Sequence, residues 1–257
     1  MTVLRSSVFF LWFALTSTVI SLLAFPALVL DRRVIVFVSH SWSRLTLFGL
    51  KHIAGLDYEI RGPVPPGGAV VASKHMSMWD TIALYLLLGQ PFPVVKQELL
   101  QIPFYGWFVA KAGAIVVDRK GRAKALRGML DDARAAMANG HSILIFPEGH
   151  RMAPGAPPDY KPGVAALYTQ LGVSCIPVAL NSGLFWTGPM GFIKKPGRVV
   201  VQFLEAIPPG LKSRAFLDLL ESRIESASTA LLAEGRLLLS RSANPVSATA
   251  AERPRGG

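Results

Sequence analysis

From Asp57 onward short apolar runs alternate with stretches of helical periodicity, and no other feature constrains the fold as much. The runs at 69–72, 93–95, 114–117, 142–146, 174–178 and 199–203 read as strands. Their apolarity is continuous rather than alternating, as in strands covered on both faces. Helical candidates lie at 81–88, 124–138, 164–171 and 214–232. Strands alternating with helices predict an α/β fold, a mixed, largely parallel sheet covered by helices. Gly140 follows the Ala-rich candidate and is placed to cap it before the next strand.

The N-terminal part is different. No charged residue occurs between Arg5 and Asp31, and about 20 apolar residues suffice for a helix to cross a bilayer core. Pro26 kinks or ends such a helix. A cleaved signal peptide is the first alternative, but its charged start is only Arg5 and no convincing A-x-A site follows. A buried core helix is the second, against which Asp31-Arg32-Arg33 reads as an interfacial stop. Further apolar residues at 34–38 and 45–50 extend the segment to a helical hairpin. Spanning the bilayer and dipping into one leaflet both fit. Arg32, Arg33, Arg44 and Lys51 all follow the apolar segment, so the positive-inside rule puts the remaining chain on the cytoplasmic side of an inner or plasma membrane. The expected organisation is membrane-anchoring helices at 1–54, one α/β domain at 55–240, and a Ser-, Ala-, Pro- and Gly-rich tail at 241–257 with no fixed structure.

Composition narrows the partners. Hydrophobic residues make up 51% of the 257 and charged residues 17%, which favours membrane contact. The net charge of +11 suits nucleic acid, an anionic membrane or an anionic substrate. No zinc-knuckle, homeodomain or RNP-type pattern supports nucleic acid, whereas anionic lipid attracts each Lys or Arg by about 1 kcal/mol near the headgroups. The single cysteine, Cys175, permits no internal disulfide and no Cys-based zinc site, and it reads as a packed small hydrophobe.

Chemistry concentrates at strand ends, where open α/β sheets usually place their sites. Ser73-Lys74-His75-Met76-Ser77-Met78-Trp79-Asp80 joins a strand to a helix. An imidazole has an unperturbed pKa near 6.5 and needs a partner to fix its tautomer. Asp80 is the candidate. Five helical positions rotate through roughly 140°, so the pairing requires His75 to lie in the loop or at the first helical residues. Alone, H-x4-D is a weak signal that a satisfied surface or core histidine fits better. Phe146-Pro147-Glu148-Gly149-His150-Arg151 follows another strand, and Glu148 and Arg151 are expected to project from its edge. Arg binds phosphate in a fork geometry, although a turn with a surface salt bridge would use the same residues. Gly113-Ala114-Ile115-Val116-Val117-Asp118-Arg119 is a strand with Arg at its end, and Ile176-Pro177-Val178-Ala179-Leu180-Asn181 is an apolar strand able to wall an acyl pocket.

In this order the four patches, from about Asp57 to Phe203, resemble the glycerolipid acyltransferase family, in particular the 1-acylglycerol-3-phosphate acyltransferases. The resemblance implies His75 as catalytic base, Asp80 as its orienting partner, Arg119 and Arg151 as acceptor-phosphate ligands, and Glu148 and Gly149 as parts of the acceptor loop. Lys96-Gln97-Glu98-Leu99 matches a Lys-x-Glu-Leu segment, giving Lys96 a role at the thioester carbonyl or a phosphate. Lys161-Pro162-Gly163 resembles the Lys-x-Gly turn before a helix. Four positions depart from the pattern: Lys74 stands where the family often has Asn, His150 and Met152 replace hydroxyl residues, and Asp118 is an extra carboxylate next to Arg119. Those departures leave the acceptor headgroup open.

The implied reaction transfers an acyl chain from acyl-CoA or an acyl carrier protein to the free sn-2 hydroxyl of lysophosphatidate, giving phosphatidate. His75 would take the hydroxyl proton, an effect worth typically 10²–10⁴-fold, with oxyanion donors among backbone N–H groups near the start of the following helix. No metal and no cofactor beyond the acyl donor is expected, since H-E-x-x-H, G-x-G-x-x-G and Walker patterns are absent from the sequence. The missing G-x-S-x-G elbow weighs against a serine hydrolase using Ser77. His40, His52 and His141 read as structural and His150 as a rim residue. Two other readings stay open: the same chemistry on another lysolipid, such as a lyso-ornithine lipid, and a non-catalytic lipid-binding homologue.

Overall fold

The computed structural model describes residues 1–117, 122–186 and 191–243. Helix α1 (Thr2–Leu23) is apolar on all sides, turns through the 3-10 segment Phe25–Val29, and is followed by α2 (Arg32–Gly49). Asp31 caps α2 by accepting from Arg33 N at 2.8 Å. The two helices form the expected hairpin, joined by Trp12 Nε1 donating to Leu45 O and Trp42 Nε1 to Ser17 Oγ. α1 is long and apolar enough to cross a membrane by length and composition. Its outer face, with Leu11, Leu15, Val19 and Leu22, is exposed.

The hairpin does not stand apart from the body of the chain. Ser6 Oγ accepts from Lys194 N at 2.9 Å, the Lys194 ammonium lies over the Phe9 and Trp186 rings, and Phe9, Leu47 and Leu50 belong to the main core. A π-helical turn, Leu50–Ala54, leads through Gly55 into the first strand.

Among the described residues seven strands form one sheet: β1 (Leu56–Arg61), β2 (Val70–Ser73), β3 (Phe92–Lys96), β4 (Ile115–Val117), β5 (Ile143–Ile145), β6 (Cys175–Leu180) and β7 (Gly197–Phe203). Their order is β1-β7-β6-β2-β5-β3-β4, and every pairing is parallel except β6 with β7. Both faces are covered. Val71, Leu144 and Val178 pack with Trp79 and Ile82 of α3 (Met78–Leu87) on one side. Val70, Ala72, Ile143, Ile145 and Cys175 pack on the other against α5 (Arg122–Ala138), α6 (Gly163–Leu171) and α7 (Ser213–Ala243). This two-sided burial explains the unbroken apolarity of the central strands. Cys175 is buried, and burial pushes its thiol pKa up, as for a packed hydrophobe.

Three elements differ from the sequence expectation. β1 carries Asp57, Glu59 and Arg61 in alternation because it is an edge strand, only partly covered. Helix α4 (Tyr105–Lys111) is too short to show a period. α7 continues past 232 to Ala243, straight through Gly235. A Cβ at Gly235 would lie 2.7 Å from Leu184 Cδ1, so this glycine marks a close approach rather than a helix end. Residues 241–243, assigned above to the tail, are thus helical, and 244–257 lie outside the described residues. Gly140 takes φ 76° after α5, the expected cap.

Candidate active site

Parallel pairing of β2, β5, β3 and β4 brings their C-terminal ends to one edge of the sheet. Lys74 N still donates to Val178 O at 3.0 Å, continuing the ladder between β2 and β6, and His75 is the next residue. Ser77 is the N-cap of α3, so His75 lies in the loop two residues before it, while Asp80 is the third helical residue. Ser77 and Asp80 form a capping box.

That box aims the aspartate. Asp80 Oδ2 accepts from Ser77 N at 2.8 Å, from Met76 N at 2.6 Å and faces His75 Nδ1 at 3.0 Å. Asp80 is fully buried and His75 is 9% exposed. An ionised carboxylate only accepts hydrogen bonds, so the proton of a neutral His75 resides on Nδ1 and Nε2 carries the free lone pair. The ring is further held by stacking on Phe146, centroids 3.9 Å apart. Ser77 Oγ donates to Ser182 Oγ at 2.9 Å, so the serine beside the histidine is engaged in fixing the turn.

The segment after β5 folds over this site. Gly149 N donates to Phe146 O, Met152 N to the His75 carbonyl at 2.8 Å, and Lys161 N to Pro147 O. Gly149 takes φ 67° in this turn. Arg151 is half-buried at the rim, and His150 is exposed with Nδ1 2.9 Å from Glu148 O. Lys96, at the end of β3, is half-buried on the same edge and level with Val117. Arg119 lies outside the described residues, two positions beyond the end of β4. Pro162 and Gly163 open α6.

Glu148 corrects one expectation. It does not project from the edge but is fully buried, with Oε1 2.6 Å from Lys74 Nζ. Burial pushes its carboxyl pKa up, while the Lys74 ammonium acts in the opposite direction. Lys74 is itself 2% exposed and meets a second carboxylate, Glu225 of α7, at 2.7 Å. Tyr160 Oη donates to that same Glu225 oxygen. The sequence reading missed Glu225, Tyr160 and Ser182. A lysine directly after a fully apolar strand signals a buried cation that needs a partner, but a single sequence does not reveal a partner 151 positions away. Asn181, at the end of β6, is structural: its Oδ1 accepts from Val200 N and its amide donates to Leu231 O. Among the described residues no group of three His, Cys, Asp or Glu is arranged to hold a metal.

The Acyltransferase family profile matches residues 56–181, from the first residue of β1 to just past β6. A 1-acyl-sn-glycerol-3-phosphate acyltransferase of Pseudomonas aeruginosa is 34% identical over 167 residues. Residues 56–181 belong to the acyltransferase family. The alignment covers 64% of this chain and 65% of the Pseudomonas protein. The human 1-acyl-sn-glycerol-3-phosphate acyltransferase alpha is 32% identical over 143 residues, covering 54% of this chain and 50% of the human protein. The chain thus spans half to two thirds of the length of these relatives. The crystal structure of a 1-acyl-sn-glycerophosphate (LPA) acyltransferase from Thermotoga maritima has the same fold, with a TM-score of 0.73 at 20% identity, covering 90% of this chain and 98% of that one.

Proposed function

We propose that this acyltransferase esterifies the sn-2 hydroxyl of 1-acylglycerol 3-phosphate with an acyl chain from acyl-CoA or an acyl carrier protein, releasing the thiol and phosphatidate. The observation that carries this reading is the buried His75–Asp80 pair, 3.0 Å apart at the edge where the F-P-E-G segment folds back. His75 Nε2 accepts the proton of the acceptor hydroxyl as its oxygen attacks the thioester carbonyl, and Asp80 stabilises the imidazolium that forms. The proton then passes to the departing thiolate, so no covalent acyl-enzyme is needed.

Arg119 and Arg151 bind the acceptor phosphate in this scheme, and Lys96 faces the thioester or a phosphate. Gly149 shapes the acceptor loop through its backbone. Glu148 serves that loop from beneath, since its carboxylate is turned onto Lys74. No metal or cofactor takes part beyond the acyl donor. α1 attaches the protein to an inner or plasma membrane, with the sheet on the cytoplasmic side beside anionic lipid.

One observation favours a second acceptor. His150 is exposed at the rim and Met152 is half-buried, where the resemblance leads one to expect hydroxyl side chains. A panel of lysophosphatidate, lyso-ornithine lipid and capped lysophospholipids, each with oleoyl-CoA and with an acyl carrier protein thioester, separates the two. Thiol release fastest with lysophosphatidate supports the proposal, and release only with a lysolipid lacking a free phosphate contradicts it. A protein that binds lysolipid but releases no thiol is the non-catalytic homologue.

A further inference from the structure

We propose that Lys74 is a positioning residue for acceptor binding, acting through a buried charge cluster that ties the acceptor loop to α7. The inference rests on the acyl-transfer reading above and concerns a residue at which this chain departs from the family pattern.

The cluster is buried at Lys74 and Glu148 and reaches the surface at Glu225. Lys74 Nζ lies 2.6 Å from Glu148 Oε1 and 2.7 Å from Glu225 Oε1, and Tyr160 Oη donates to Glu225 Oε1 at 2.9 Å. Lys74 and Glu148 are almost completely removed from water. Breaking such a pair leaves an uncompensated buried charge, which is strongly destabilising to the local arrangement. Lys74 therefore cannot be neutralised without Glu148 moving or taking up a proton.

Both carboxylates reach the loop that Gly149 and Arg151 share. Glu148 immediately precedes Gly149, and Tyr160 immediately precedes Lys161, whose N–H closes the loop onto Pro147 O. Met152 N fastens the middle of the loop to the His75 carbonyl. Lys74 is thus covalently next to the base, ion-paired to one end of the loop and, through Glu225 and Tyr160, linked to its other end. Beside these backbone bonds, this one ammonium ties both ends of the loop over His75. An Asn at 74 carries neither the charge nor the reach to hold two carboxylates. In this chain α7, which supplies Glu225, becomes part of the support of the acceptor site.

In the reading above Arg151 and Gly149 bear on how the acceptor sits over His75, and neither is assigned to the acyl donor. Lys74→Met keeps most of the length of the side chain, one atom short of Nζ, and removes the charge. It is expected to raise KM for the acceptor about tenfold or more, with KM for the acyl donor unchanged within about twofold. Lys74→Arg, which keeps the charge, is expected to recover much of that loss. Glu225→Gln keeps the shape and the Tyr160 contact and is expected to raise acceptor KM by about threefold. A purely structural role would lower Tm and the active fraction without changing either KM.

The assay uses full-length protein in detergent, with whichever lysolipid the wild type acylates fastest. If Lys74→Met fails to fold, Glu225→Gln carries the test. An acceptor KM unchanged in the folded variants, or raised equally for donor and acceptor, overturns the inference. Wild type that prefers another lysolipid to lysophosphatidate overturns only the proposed acceptor. Wild type that acylates no lysolipid overturns both.

Discussion

His75 Nδ1 lies 3.0 Å from Asp80 Oδ2, and this contact decides which imidazole nitrogen is left for the substrate. The same carboxylate oxygen takes the N–H groups of Met76 and Ser77, so the turn that caps α3 also sets the tautomer of the base. In the proposed mechanism, capping and catalysis depend on one side chain.

Asp80→Asn preserves the volume and much of the cap while removing the charge that favours Nδ1–H and the imidazolium. Acyl transfer is expected to fall on the order of 10²–10⁴-fold in kcat, with both KM values unchanged within about twofold. Steady-state thiol release gives these values. A variant retaining wild-type kcat would show that Asp80 serves the helix alone.

The outer face of α1 is expected to meet lipid. Leu15 is 63% exposed near the middle of that helix. Lysine at the centre of an inserted helix costs about 2.5–3.5 kcal/mol. Leu15→Lys should reduce co-sedimentation with anionic vesicles at least about tenfold and leave the Tm of detergent-solubilised protein unchanged. Undiminished vesicle binding would place the membrane contact elsewhere on the molecule.

Arg61 joins the edge strand to the last helix. Its guanidinium bonds Glu234 at 2.8 and 2.7 Å and Glu59 at 2.7 Å. Hydrogen bonds from Arg61 hold the Glu59 and Glu234 carboxyls below the usual range. A carboxyl with a lowered folded pKa contributes stability above its ordinary value, about 4.3, and loses it as pH falls through the lowered value. Amide protection in the C-terminal turns of α7, taken relative to the intrinsic exchange rate at each pH, should therefore fall as the solution is acidified below about pH 4. Arg61→Ala should show fast exchange already at neutral pH and no such step. Equal exchange in both proteins across the range would argue against the link.

Much of this was legible in the sequence. Strands such as β2 and β5, buried on both faces, declare themselves by unbroken apolar runs. The H-x4-D and F-P-E-G segments could be located, with the requirement that His75 sit outside the helix. What escaped was set by long-range geometry or by partial exposure. β1 alternates charge and apolarity because it lies at an edge. The helical pattern fades after 232, yet Gly235 lets α7 continue and approach Leu184. Glu148 reads as a rim ligand because nothing nearby in the chain shows that Lys74 will take it inward. Glu225, the other half of that arrangement, is brought there only by the packing of α7.

The central claim is that His75 is the base in an acyl transfer to lysophosphatidate. Its most direct test incubates detergent-purified protein with oleoyl-CoA and lysophosphatidate and follows free thiol and phosphatidate together, with His75→Ala alongside. The account predicts equal amounts of thiol and phosphatidate from wild type, and a rate lower by about 10²–10⁴-fold or more from a folded His75→Ala. Phosphatidate formed at the wild-type rate by the alanine variant would contradict it.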